Sequence, residues 1–139
     1  MVGAALLTAY HNAGGTIDLH DALTEMMKRG RAVPGGACGF WGACGAGISS
    51  GMFVSIISGS TPLTNEPFAL SHMMTSEALG KIGAIGGPRC CKRDSFLSIL
   101  AAIDFVKEHL ASKWRNGMSS AGIQRRTTSA SENAVRSPH

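Results

Sequence analysis

The sequence predicts an all-α protein, a small bundle of about five helices with two loops rich in glycine and cysteine. Wherever apolar residues recur regularly they are three and four positions apart, which is the spacing of a helix face. No segment shows the sustained apolar–polar alternation with β-branched residues that is typical of a strand. With 139 residues and no internal repeat, the chain has the length of one domain.

Two helices are predicted before residue 34. Residues 4–10 are good helix formers without a cap ahead of them, so we expect the end of a helix whose start is missing and hence a truncated chain. Thr16 and Asp18 are N-cap candidates for a second helix, which runs to about Arg29 and is stopped by Pro34 and the glycines after it. The apolar face of this second helix holds Leu19, Ala22, Leu23, Met26 and Met27.

The third predicted helix, over residues 46–58, carries minimal side chains at every fourth position. These positions are Gly47, Gly51, Ser55 and Gly59. Such a stripe lets another backbone approach closely, which serves either the packing of a second helix or the binding of a cofactor. Helix-on-helix packing is the use that we favour.

The fourth and fifth helices complete the bundle. Thr64 or Asn65 is expected to cap the fourth helix, with Pro67 in its first turn. Asp94 or Ser95 is expected to cap the fifth. The predicted apolar faces are Phe68, Met73, Met74, Leu79 and Ile82 in the fourth helix, and Phe96, Ile99, Leu100, Ile103, Val106 and Leu110 in the fifth.

The positive charge of the chain is concentrated at its C-terminal end. The formal net charge is +4, yet residues 1–111 contain eight basic and eight acidic side chains, so the excess lies in residues 112–139. The end of the chain is rich in Ser, Thr, Arg and Asn and has too few apolar residues to offset the entropy of ordering. We predict a helical domain over residues 1–114 and a disordered basic tail over residues 115–139.

Several protein classes are not favoured by the sequence. The tail has no aromatic interleaving beyond Trp114 and no groove-reading helix, which argues against nucleic-acid binding. The longest apolar run, residues 48–57, is interrupted and has about half the length of a membrane span. No basic segment or cleavage pattern of a signal peptide follows Met1, so we expect a cytoplasmic protein. In that compartment four cysteines favour metal, cluster or redox chemistry over structural disulfides.

The first cysteine-rich loop, residues 35–45, places Cys38 and Cys44 six positions apart. Structural zinc sites usually have gaps of about two to four residues, so this spacing argues mildly against a zinc knuckle. Glycine leaves backbone amides uncovered, and these amides and the positive end of the following helix stabilise a thiolate, a sulfide or an anion. The glycines expected to contribute are Gly36, Gly39, Gly42 and Gly45.

The second cysteine-rich loop, residues 86–94, sets Cys90 and Cys91 among three cations. Adjacent cysteines point in different directions, so one can bind a metal or cluster while the other packs or reacts. Arg89, Lys92 and Arg93 are either a solvated turn or a clamp for a carboxylate or phosphate at a helix N-terminus. Buried thiols that only pack remain an alternative.

We expect the two cysteine-rich loops to meet in space. The third and fourth helices lie between them, and an antiparallel pairing of these helices returns the chain to the end where it left. At least one sulfur of the first loop should then lie within about 8 Å of one in the second.

Residues 35–61 and 86–110 resemble an uncharacterised family of small domains from methanogens and other anaerobes. Its marks are a G-G-x-C-G-F-x-G-x-C-G-A block and a G-P-R-C-C-K-R block, which this chain carries at residues 35–46 and 87–93. Members continue upstream into further cysteine and histidine motifs. The resemblance therefore implies a truncated start, and a homo-oligomer or a partner that supplies the missing N-terminal region.

A more distant resemblance is to the helical α region of iron–sulfur L-serine dehydratases and related cysteine desulfidases. In that family three cysteines hold a [4Fe–4S] cluster whose open iron binds the leaving group of the substrate. Cys38 corresponds to the first cluster loop, and Cys90 or Cys91 to the cysteine before a basic residue. The middle cysteine loop of that family is absent from this chain, and the first spacing differs.

The sequence thus predicts an iron–sulfur or metal-binding domain, a lyase or a sulfur-handling enzyme with a small anionic substrate. Its metal ligands are expected to be Cys38, Cys44, Cys90 and Cys91. Two other classes stay open: a thiol redox module that cycles a disulfide between the loops, and a non-catalytic helical interaction domain.

Overall fold

The computed structural model describes residues 1–111, which form helices and connecting turns without a strand in that range. In chain order the helices are α1 (Val2–Asn12), α2 (Leu19–Ala32), α3 (Ala37–Phe40), α4 (Gly45–Ser58), α5 (Glu66–Ile85) and α6 (Cys91–Phe105), followed by a π-helical turn (Val106–Leu110). The predicted all-α class is confirmed. The tail predicted for residues 115–139 lies outside the described residues.

The bundle is organised around α4, which contacts α1, α2, α5 and α6. Its large side chains, Phe53 and Val54, are completely buried, as are Leu7 of α1 and Met74 of α5. Phe105 at the end of α6 belongs to the same apolar cluster. A single core therefore joins the first helix to the last of the described residues.

Local signals place the ends of the central helices where the sequence predicts them. The Asp18 carboxylate accepts a hydrogen bond from the Asp21 backbone N–H at 3.0 Å and caps α2. At the other end of α2, Val33 is extended because it precedes Pro34. Gly59 takes the left-handed conformation (φ +69°) that ends α4.

Glycines on α4 provide the close approach of α5. A Cβ on Gly51 would collide with Thr75 Oγ1 and lie 3.2 Å from the Ser71 carbonyl oxygen. A Cβ on Gly47 would lie 2.7 Å from Leu79 Cδ2. Because later residues of α4 contact earlier residues of α5, the two helices are antiparallel. The prediction that the stripe serves helix packing is confirmed at these two positions.

The N-terminus of α6 lies earlier than predicted. Cys90 is the N-cap residue and Cys91 is the first helical residue, so the prediction of a cap at Asp94 or Ser95 is wrong. The Asp94 backbone N–H already donates a helical hydrogen bond to the Cys90 carbonyl at 2.9 Å. A carboxylate in the first turn interacts favourably with the helix dipole, which explains why the helix tolerates Asp94 there. The adjacent cysteines thus belong to a helix N-terminus.

The buried face of α6 also differs from the prediction. Three side chains of its predicted apolar face are exposed, namely Phe96, Leu100 and Ile103. The same holds for Met27 on α2 and for Phe68 and Met73 on α5. The buried residues of α6 are Asp94, Ser98, Ala101, Ala102 and Phe105. Small side chains on this face suit close packing against α4 and α5, so apolarity alone selects the wrong side of the helix.

The longest apolar run of the sequence, residues 48–57, lies inside α4 and contributes to the core. Of the helices within residues 1–111, α5 is the longest, with 20 residues. Across residues 1–111, no helix combines the length and the apolarity that crossing a bilayer requires.

Replacing Gly51 with alanine is expected to lower the free energy of unfolding by about 1–3 kcal/mol, because the added methyl group displaces Thr75 at the contact between α4 and α5. Gly80 of α5 is the matched control, since a Cβ there meets nothing within 4 Å. Alanine at Gly80 should stabilise the protein by about 0.5–1 kcal/mol. Urea unfolding followed by circular dichroism measures both changes, and equal effects would refute the close approach.

Tyr10, the one tyrosine of the chain, lies at the end of α1 with its ring 6.2 Å from that of Phe53. Burial raises the pKa of its phenol above the usual value of 10.0. Because the folded pKa is the higher one, the contribution of the neutral phenol to stability is complete below about pH 10. That contribution is lost as the pH rises through the folded pKa.

We therefore expect an absorbance titration of tyrosine to have a higher midpoint in the native protein than in urea. The contribution of Tyr10 to the free energy of unfolding should fall only above about pH 10, which unfolding experiments at several pH values can measure. Identical midpoints in the two states would show that Tyr10 is not buried as described.

Candidate functional site

A cavity of about 240 Å³ lies where α3 and the N-terminus of α4 meet the N-terminus of α6. Three of the four cysteines line it: Cys38 in α3, Cys44 at the N-cap of α4 and Cys91 at the start of α6. The polar residues of the lining are Ser49, Arg89, Asp94 and Ser95. The cavity thus draws its chemistry from both segments that the sequence singled out.

The first cysteine-rich segment reaches the cavity through a short helical turn, α3, where the sequence predicts only a loop. Gly36 is left-handed (φ +84°) and starts this turn. A Cβ on Gly36 would lie 2.9 Å from the Phe40 ring. The Ala43 N–H donates back to the Ala37 carbonyl at 3.1 Å and closes the segment. Cys38, within the segment that this hydrogen bond closes, and Cys44, directly after it, both line the cavity.

Arg93 organises the second segment. Its Nη2 donates to the carbonyl oxygens of Gly86 at 2.8 Å and of Pro88 at 3.4 Å. Its Nε donates to Asp94 Oδ1 at 3.1 Å. The guanidinium therefore ties the turn before α6 to the first turn of the helix, which makes Arg93 a positioning residue.

The other predicted cofactor-binding residues divide between the cavity and the surface. Gly36 and Gly45 line the cavity together with Arg89. Lys92 is exposed and does not belong to the lining. The exposed glycines that also fall outside the lining are Gly39 and Gly42. Of the three cations around the cysteine pair, Arg89 alone borders the cavity.

The two segments meet at Cys44 and Asp94. The Cys44 thiol donates to Asp94 Oδ2, with 3.8 Å between sulfur and oxygen, across 50 positions of the chain. The Asp94 side chain is only 5% exposed, and its other oxygen is held by Arg93. This contact confirms that the two loops meet in space. A sulfur-to-sulfur distance within about 8 Å stays a prediction.

All four cysteines are free thiols, but their surroundings differ. Cys38 and Cys44 are half-buried, whereas Cys90 and Cys91 are exposed. Cys91 borders the cavity and Cys90 does not. The two adjacent cysteines therefore differ in access to the cavity, which gives a matched pair for experiment.

Two helix N-termini and one arginine direct positive charge at the cavity, beside the Asp94 carboxylate that Arg93 balances. The helices α4 and α6 both begin at its wall, and neither has a side chain that hydrogen bonds as an N-cap. Uncapped first-turn amides and the positive ends of two helix dipoles stabilise thiolates and bound anions. The Arg89 side chain adds a full positive charge.

The cysteines are spread around the cavity and do not form a compact ligand cluster. A tetrahedral zinc ion with bonds of about 2.3 Å brings its sulfurs to about 3.8 Å from one another. Within residues 1–111, no three ligand atoms from this cavity lie within 4.8 Å of one another. No three of these side chains are thus as close together as the ligands of a closed zinc site.

Sequence reasoning missed Asp94 as a site residue because it assigned Asp94 to a helix cap. A signal was present: Cys91, Asp94 and Ser95 are separated by three and four positions, so they share one face of a helix. All three line the cavity. Recognising them required placing the helix start at Cys91.

These features define a small all-α domain that brings the cysteines of two glycine-rich segments to one cavity. Residues 1–129 match the model of a family described as a family of unknown function (DUF5714), and the chain belongs to that family. The resemblance to an uncharacterised domain family is thereby confirmed. No curated protein and no solved structure matches the chain.

Replacing Asp94 with alanine is expected to lower the free energy of unfolding by about 1–3 kcal/mol, because Arg93 and the Cys44 thiol both lose their carboxylate partner. The matched control is Asp104→Ala, since Asp104 is an exposed acid on the same helix. The control should change stability by less than about 0.5 kcal/mol. Chemical denaturation measures both variants. A loss at Asp94 no larger than at Asp104 would contradict the structural role of this contact.

Proposed function

We propose that this domain binds an iron–sulfur cluster or another thiolate-bound metal centre at the cavity between the two cysteine-rich segments. Cys38, Cys44 and Cys91 are its ligands, and Cys90 lies beside them. The observation that carries the proposal is the convergence of three thiols from both segments on one cavity. Thiolates are the ligands that iron–sulfur clusters and zinc prefer.

The spread of the donors favours a cluster over a single ion. A cluster holds its cysteine sulfurs farther apart than one metal ion does, which suits ligand atoms that are not gathered within 4.8 Å. Asp94 adds a nearly buried carboxylate at the same place. Two helix N-termini supply positive potential against the charge of several thiolates.

The reaction class that we propose is that of a lyase or a sulfur-handling enzyme. A [4Fe–4S] cluster with three cysteine ligands supplies one open iron that acts as a Lewis acid. Arg89 is placed to bind the carboxylate of a small anionic substrate, and the ends of α4 and α6 add to that attraction. The distant resemblance to iron–sulfur L-serine dehydratases supports the same class.

A thiol redox module is the second candidate. Cys44 and Cys91 are free thiols on one cavity and come from different segments. Their oxidation to a disulfide would release two protons and two electrons to an acceptor such as a partner disulfide. Thiols at helix N-termini are the kind that enter such exchange.

Anaerobic purification, with reconstitution by ferrous iron and sulfide, tests the first candidate. We expect a brown protein with a broad absorption band near about 400 nm, and bound iron and acid-labile sulfide in similar amounts. Cys38→Ser, Cys44→Ser and Cys91→Ser should each reduce the bound iron. Cys90→Ser is the matched control and should retain it, because this thiol does not line the cavity.

The outcomes separate the candidates. Protein that binds neither iron nor zinc in all preparations, but has a reversible disulfide by thiol titration, supports the redox module. A loss of iron in Cys90→Ser as large as in Cys91→Ser would refute the assignment of the cluster to this cavity.

A further inference from the structure

A second group of ligating side chains lies outside the cysteine cavity. Glu77 of α5 and Glu108 and His109 of the π-helical turn each offer one atom to a group in which all atoms lie within 4.8 Å of one another. His109 Nε2 is 3.9 Å from Glu77 Oε1 and 3.8 Å from Glu108 Oε2. This is a separate donor set of two carboxylates and one imidazole.

The π-helical turn helps to create this arrangement. In an α-helix, neighbouring side chains diverge by about 100° around the axis. The wider winding of a π-helical turn reduces that angle, which suits the approach of Glu108 and His109 to the same point. Turns of this kind occur frequently at functional sites.

Packing orients the imidazole. The His109 ring stacks on Phe105, with ring centroids 4.5 Å apart and planes 38° from each other. Phe105 is completely buried, so the stack fixes the ring of His109 against the core. The Nε2 atom is directed to the carboxylates of two different elements.

We propose that Glu77, Glu108 and His109 bind a divalent transition-metal ion of the Zn²⁺ type, which ties the end of α6 to α5. Imidazole and carboxylate ligands suit this class of ion. Metal–ligand bonds of about 2.0–2.1 Å place tetrahedral ligand atoms about 3.4 Å apart. The carboxylates now lie 3.8–3.9 Å from His109 Nε2 and within 4.8 Å of each other, so metal binding requires the side chains to close together. Three protein ligands leave a position for water.

The same chain contains a matched control. His72 of α5 stacks on Phe68, four residues before it, with ring centroids 4.2 Å apart. This repeats the Phe105–His109 pair in spacing and geometry. Among the described residues, however, His72 belongs to no group of three ligands. Replacing His72 removes an imidazole that stacks in the same way, but it leaves the proposed metal ligands in place.

Calorimetric titration of the full chain with Zn²⁺ tests the proposal. Because cysteine thiolates are themselves ligands for Zn²⁺, the measured quantity is the number and affinity of sites in each variant against the parent. We expect His109→Gln and Glu108→Gln to lose one site or to weaken it by at least about tenfold. His72→Gln should bind as the parent does. Glu108 is 68% exposed, so its replacement carries little risk to folding.

A control spectrum separates the two kinds of site. Co²⁺ bound by cysteine thiolates gives strong near-ultraviolet charge-transfer bands, and these should be unchanged in the His109 and Glu108 variants. Zinc binding identical in the parent and both variants would overturn the proposal and leave a polar contact without a metal. An equal loss in His72→Gln would also overturn it. Neither result bears on the iron content of the cysteine variants, so this proposal stands or falls independently.

Discussion

The close approach of α4 and α5 at Gly47 and Gly51 is the constraint on which the rest of the structure depends. The two helices pack antiparallel at these glycines, so the start of α4 and the end of α5 lie at the same end of the bundle. Cys44 immediately precedes α4, and the turn that leads into α6 follows α5. Helix packing in the core thereby brings together two segments that are 50 positions apart in sequence. The cavity is a consequence of this topology.

Within the cavity, the Asp94 carboxylate restricts the charge that Cys44 can carry. Its carboxylate is nearly buried and is balanced by one guanidinium, that of Arg93. The same carboxylate accepts a hydrogen bond from the Cys44 thiol. A thiolate at Cys44 would place two negative charges side by side in a partly buried position, which is unfavourable without a compensating positive centre. The arrangement therefore suits either a neutral thiol or a thiolate bound to a metal.

The sequence predicts those parts of the structure that local rules govern. Asp18 caps α2, Gly59 ends α4, and the glycines of α4 accept a neighbouring helix, each for a reason visible within a few residues. Contacts between segments that are distant in sequence cannot be predicted from such local rules. Phe96 and Leu100 are exposed because α6 packs through alanine and serine, a preference set by its partners α4 and α5. The grouping of Glu77 with His109 depends in the same way on helix contact, and no spacing in the sequence encodes it.

The helix α6 connects the two candidate metal sites. Cys91 is its first residue, and the π-helical turn with His109 continues directly from its last. Between these ends the buried face consists mainly of Ser98, Ala101 and Ala102, which allow little rearrangement because small side chains have few rotamers. A helix packed so closely along its length would move as one body. An ion that fixes its C-terminal end to α5 would therefore also limit the displacement of Cys91 at the cavity, so that the metal in one site steadies a ligand of the other.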